Sequence, residues 1–184
     1  MDTSDLNPLL RRTGEGDSQA FAQLYEELRR PVFAVAYAVT HDRFLAEDVL
    51  QDTFVTVREK SRLYSRQDNP KAWVLSIAHN LAVDMVRRRR RELPQEFDDE
   101  IYAGQERGFE SRVIDDALLE QAFRVLSDEE RQIVVLHLVT GCRHRETARI
   151  LQLPLGTVLW KYRASLKKLQ EALPAHGPQA EAAD

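Results

Sequence analysis

The chain of 184 residues holds one cysteine, Cys142, so no intramolecular disulfide can form and a reducing compartment fits. Seven glycines and seven prolines are few for this length. Pro31, Pro70, Pro94, Gly141, Pro154 and Pro174 mark boundaries between stretches that lack the alternation of a half-buried strand, which excludes a sheet protein. The longest apolar run, Val32 to Val39, is far too short to span a bilayer, and MDTSDLNPLLRR lacks the apolar centre of a signal peptide. A soluble cytoplasmic protein without membrane insertion is expected. Also missing are paired carboxylates, a nucleophile beside a base and a phosphate-cradling glycine loop, so neither an enzymatic activity nor a cofactor is expected. His137, Cys142 and His144 lie close together but match no zinc spacing, and no metal site is assigned to them.

Charge of one sign is not scarce, but it is sorted. The formal net charge of −4 argues against a nucleic-acid binder until its distribution is read. From Pro70 to Arg91, six bases stand against one acid. From Glu92 to Glu120 ten acids stand against two bases, and from Arg143 to Gln170 seven bases stand against Glu146 alone. Two basic blocks flank one acidic block, and each basic block is an electrostatic footprint of its own.

The periodicities predict an all-α protein of two small helical domains. Helices are expected at about 18–29, 32–40, 43–63 and 70–91, then at about 113–125, 128–140, 144–151 and 155–172. An N-terminal tail (1–17) precedes the first domain (18–92). An acidic linker (93–112), with Pro94, Gly104 and Gly108 and no apolar period, reads as a mobile tether. The second domain covers 113–173, and a tail (174–184) ends the chain. Ser127 and Glu130 form a capping-box signal, and Gly141 suits the left-handed residue that ends the following helix.

Two segments carry the chemistry. In NPKAWVLSIAHNLAVDMVRRRRR, Asn69 and Pro70 start a helix, and Trp73, Ile77, Leu81 and Met85 recur at i+4 as an apolar face. Ser76, Asn80, Asp84 and Arg88 recur on another face, and five consecutive arginines, Arg87 to Arg91, end the segment. Amides and hydroxyls serve base edges, and fixed cations serve phosphates. In the second segment, HRETARIL, QLPL and GTVLWKYRASLKKL read as a helix-turn-helix. Its later helix is basic, through Lys161, Arg163, Lys167 and Lys168.

These residues resemble the extracytoplasmic-function sigma factors of bacterial RNA polymerase, over about Ala20 to Leu173. Ala46-Glu47-Asp48 and Gln51-Asp52-Thr53-Phe54 match one family motif residue for residue. KAWVLSIAHNLAVDMVRRRRR looks like a second, and LSDEERQIVVLHLVTG with the helix-turn-helix is similar to a third. The resemblance implies a non-enzymatic subunit that joins core RNA polymerase, directs it to promoter DNA and helps melt it, monomeric when free and held in check by an anti-sigma factor. It assigns core-polymerase binding to Glu47, Asp48, Gln51 and Asp52, an acidic, amide-bearing face. It assigns the minus-ten element to the helix of Ser76, Asn80, Asp84, Arg87, Arg88 and Arg91. By the same resemblance the loop from Tyr64 to Asn69 would hold a flipped base; Tyr64 as its stacking platform is an expectation from the residue's chemistry alone.

The minus-thirty-five element falls to Arg143, Arg145, Thr157, Leu159, Trp160, Lys161, Arg163 and Lys167. Two departures from the commonest family form stand here. Leu159 and Trp160 replace a cation and a serine, and Leu159 offers only apolar contact, such as with a thymine methyl. Thr147 stands where isoleucine is usual, at an expected cost of about 1 kcal/mol in the first helix. Two other readings compete. A free-standing helix-turn-helix regulator leaves the acidic face unexplained, and a sigma mimic that sequesters an anti-sigma factor has no use for two basic helices.

Overall fold

The computed structural model describes residues 6–64, 69–92 and 124–172, and every described element is helical. The helices are α1 (Leu6–Gly14), α2 (Ser18–Thr40), α3 (Arg43–Lys60), α4 (Pro70–Glu92), α5 (Asp128–Val134), α6 (His144–Leu151) and α7 (Leu155–Ala172). A 3-10 turn (Ser61–Leu63) tightens the end of α3, and a π-helical turn (Val135–Val139) extends α5. The linker at 93–112, the tail at 174–184, nearly all of the helix expected at 113–125 and residues 65–68 of the loop expected to hold a flipped base lie outside the described residues.

Side-chain acceptors start each long helix of the first domain. Asp17 accepts from the backbone N–H groups of Gln19 and Ala20, Asp42 from Phe44 and Leu45, and Asn69 from Lys71 and Ala72. The capping box expected at Ser127 is present: Glu130 N–H bonds the Ser127 hydroxyl, and Ser127 N–H bonds the Glu130 carboxylate at 2.9 Å. Gly141 has a φ of 74°, as the helix stop requires.

Three local expectations need correction. The segment read as an N-terminal tail contains α1, whose Leu6 and Leu10 are buried in the main core. Pro31 does not divide α2, which runs unbroken from Ser18 to Thr40. Leu24, Leu28, Val32, Val35 and Val39 are buried along one stripe on both sides of that proline, and this outweighs the one hydrogen bond it removes. On α4 the deepest stripe is Val74, Leu75, Ala78, His79 and Ala82, not the Trp73, Ile77, Leu81 and Met85 row, which is half-buried beside it. The helix is covered on more than one side, so burial centres between the two sets of apolar residues.

That second cover is the C-terminal domain. Val135, Leu136, Cys142 and Ile150 share one hydrophobic cluster with Leu24, Val74, Leu75 and Ala78. Polar contacts rim the junction. Asn69 Nδ2 donates to Glu146 Oε1 at 2.8 Å, and His79 Nε2 meets Gln132 Oε1 at 3.1 Å. The Arg131 guanidinium lies on the His41 ring, whose Nε2 is 3.2 Å from the Asp128 carboxylate. The helix-turn-helix also has a small core of its own, Ile133, Ala148 and Val158.

Candidate nucleic-acid interface

Burying Val49, Phe54 and Val57 turns the opposite side of α3 to solvent, and with it Asp48, Gln51 and Asp52. Glu47 is half-buried and ion-paired with Arg43 at 3.3 Å. The four residues therefore share one face, with three fully offered and Glu47 held by its neighbour. Phe44 and Val55, both exposed, flank them along that face.

On α4, Asn80 and Asp84 are exposed, and Ser76 is half-buried with its hydroxyl donating to the Trp73 carbonyl at 2.7 Å. Ser76 thus spends its donor inside its own helix. The arginine run splits by direction: Arg87, Arg88, Arg90 and Arg91 are exposed, whereas Arg89 bonds the Asp42 carboxylate at 2.9 Å. Burial alone would raise Asp42, but the Arg89 bond and the backbone donors of Leu45 and Phe44 hold its carboxyl below the ordinary range. Arg89 therefore ties the end of α4 to the start of α3, and the other four form the cationic surface. Tyr64 is half-buried, its ring 5.3 Å from that of Trp73 and its hydroxyl donating to Asn7 Oδ1 at 2.9 Å. Asn69, at the far end of the loop, caps α4 and reaches Glu146 at the same time.

In the helix-turn-helix, Val158 and Ser165 are the buried residues of α7, which turns Trp160, Arg163 and Lys167 outward; Trp160 is 68% exposed. Thr157 and Leu159 are half-buried, and Arg143 and Arg145 are exposed at the start of α6. Lys161 is drawn aside, its Nζ 2.9 Å from Glu129 of α5, while Lys168 bonds the buried Glu130 at 2.8 Å. Both lysines brace the packing of α7 on α5. Thr147 is fully buried and its hydroxyl has no hydrogen-bond partner, which gives a physical basis to the cost expected at that position. The His137 and His144 rings stack at 3.9 Å and meet Tyr162 edge-on, joining the turn, α6 and α7.

The residues that no sequence pattern singles out lie at the domain junction: His41, His79, Asp128, Arg131, Gln132 and Glu146. Partners such as Asn69 and Glu146 are 77 residues apart, and no local period announces such a pair. Burial holds His79 below its ordinary pKa, against the opposing pull of the Gln132 bond. Burial and then the Arg131 charge do the same to His41, against Asp128.

Residues 24–92 match Sigma-70 region 2, and residues 116–169 match Sigma-70, region 4. The ECF RNA polymerase sigma factor SigK of Mycobacterium sp. (strain KMS) is 30% identical over 179 residues, 93% of this chain and 92% of that protein. Its counterpart in Mycobacterium bovis (strain BCG / Pasteur 1173P2) is 28% identical over 93% of this chain and 95% of that protein. Among solved structures, the sigma factor RpoE of Bartonella quintana, in complex with the anti-sigma factor NepR, aligns with a TM-score of 0.73. That alignment has 24% identity and covers 85% of this chain and 98% of that one.

Proposed function

Because the chain belongs to the extracytoplasmic-function sigma factors of RNA polymerase, we propose that each of its exposed polar faces engages a separate part of the initiation machinery. The outer face of α3, with Asp48, Gln51, Asp52 and Glu47, takes a cationic surface of core polymerase. The exposed side of α4, with Asn80, Asp84 and the arginines 87, 88, 90 and 91, engages the minus-ten element as it opens. Trp160, Arg163, Lys167, Thr157 and Leu159 of α7, with Arg143 and Arg145 of α6, read the minus-thirty-five element as duplex.

The observation that carries this reading is the coexistence, in one chain, of an acidic helix face and two cationic helix surfaces, each of which escapes burial. An operator-binding regulator needs only one of the three. Docking buries apolar residues of the two domains against each other, and their separation would free each domain to bind its own element. An anti-sigma factor that favours the docked arrangement would keep the protein silent in the cytoplasm.

The experiment is transcription of fragmented host DNA by purified core polymerase, with and without the protein, mapping transcript starts. Discrete starts that appear only with the protein and share two upstream elements support the reading. If core polymerase does not retain the protein, a free-standing regulator replaces it.

A further inference from the structure

Helix α1 lies outside the residues matched to Sigma-70 region 2, yet it is fastened at both ends to the stretch that leads into the loop between α3 and α4. Leu6 and Leu10 seat it in the main core. Near its start, Asn7 Oδ1 accepts the Tyr64 hydroxyl at 2.9 Å. At its end, the Gly14 carbonyl accepts Arg62 Nε at 2.5 Å. Gly14 is needed for that approach: a Cβ there would lie 3.1 Å from the Arg62 Cγ and backbone nitrogen and 3.2 Å from the Ser61 hydroxyl. A side chain there would crowd the 3-10 turn, which would have to give by a few tenths of an ångström.

Between these fastenings is an open cleft of about 370 Å³ whose lining includes Asn7, Arg11, Glu15, Ser61, Arg62 and Tyr64, two cations against one carboxylate. Its chemistry suits one unpaired nucleotide. A base needs an aromatic face, and Tyr64 is backed by Trp73. A phosphate needs cations, which Arg62 and Arg11 supply, Arg11 carrying only an exposed ion pair with Glu15 at 3.8 Å. We infer that α1 is a positioning element of promoter opening: Asn7 and Gly14 hold Tyr64 and Arg62 as the two sides of a cleft that receives an extruded nucleotide of the minus-ten element. The inference rests on the reading of the chain as a promoter-opening subunit and adds a helix that the reading leaves idle.

The test uses the full chain assembled with core polymerase on a promoter found by the start-site mapping, with 2-aminopurine in the minus-ten element to report opening. Asn7→Leu and Gly14→Ala slow opening about fivefold, the weight of one ordinary hydrogen bond. Core affinity stays constant, and a promoter carrying a pre-opened minus-ten bubble removes the defect. Asn7→Asp, which keeps an acceptor for the Tyr64 hydroxyl, recovers most of the lost rate. Tyr64→Phe reproduces the Asn7→Leu defect, and the double variant is no slower than either single one. Opening at the wild-type rate in the Asn7→Leu and Tyr64→Phe proteins overturns the inference, as does a defect that persists on the pre-opened promoter. A wild-type protein that binds core polymerase yet opens no promoter overturns the underlying reading, and the inference with it.

Discussion

The two helices assigned to DNA are held in opposite ways. α4 buries Pro70, Val74, Leu75, Ala78, His79 and Ala82 and is packed from both sides, whereas α7 buries only Val158 and Ser165. The difference follows from domain size. Four helices surround the first core, but the described part of the C-terminal domain has only three, and it places Val135, Leu136, Cys142 and Ile150 in the other domain's cluster. A small domain that carries an apolar face beyond its own core has two stable ways to cover it: docking on its sister or docking on a partner. The same face that closes the chain on itself is thereby available to other proteins when the chain opens.

The largest effect expected from breaking this contrast is on stability. Leu136, 1% exposed in the shared cluster, costs about 2–5 kcal/mol when cut to alanine. Urea unfolding should show the loss, and the radius of gyration by X-ray scattering should rise; a stable variant that stays compact would remove the shared core from the account. Next in size, replacing Arg87, Arg88 and Arg90 together by alanine should weaken promoter binding broadly and lower the salt slope by roughly three. Replacing Arg89 instead should chiefly lower stability, since it is spent on Asp42. Equal salt slopes for the two proteins would contradict the division of the arginine run.

A pH titration sharpens the comparison. His41 and His79 both lie at the junction with pKa values held below the ordinary 6.5, His41 among Arg131, Asp128 and Arg90, and His79 beside Gln132 and Asn80. Where separation returns the two rings to water, the docked form binds fewer protons, so the stability that docking draws from the neutral rings is present above their ordinary pKa and is lost as pH falls below it. Scattering at pH 7.5 and 5.5 should show expansion at the lower value, and unchanged dimensions would count against histidine control. The smallest effect concerns Thr147. Thr147→Val removes a buried hydroxyl without a partner and keeps the volume, so stability should rise by about 1 kcal/mol, or roughly 2–4 °C in melting temperature. A lower melting temperature would mean that the hydroxyl is satisfied in solution.

Much of this was legible along the chain, for reasons that are local. Ser127 with Glu130, Asn69 with Pro70, and Gly141 each act within one helical turn, and the helices begin and end where those residues say. The outward set on α3 lies opposite the buried Val49, Phe54 and Val57, as a helical period places it. What stayed hidden depended on contacts between distant segments. Pro31 signals a break, and only the packed stripe on both sides of it overrules that signal. The spacing of Leu6, Leu10 and Thr13 is helical, but nine residues make a helix only when a core receives them. Ser76 and Lys161 have the right chemistry for DNA contact, and neither reveals by its sequence that a carbonyl or Glu129 holds it.

The diversion of Arg89 has a geometric consequence for what the end of α4 can grip. Successive residues turn by about 100° around a helix, so with Arg89 aimed at Asp42 the remaining four arginines fan over an arc of about 160° centred away from it. A single backbone running past would meet half of such a fan. Two backbones that part company at the edge of separated base pairs would meet all of it. The angular setting of that fan is fixed by one carboxylate on a neighbouring helix.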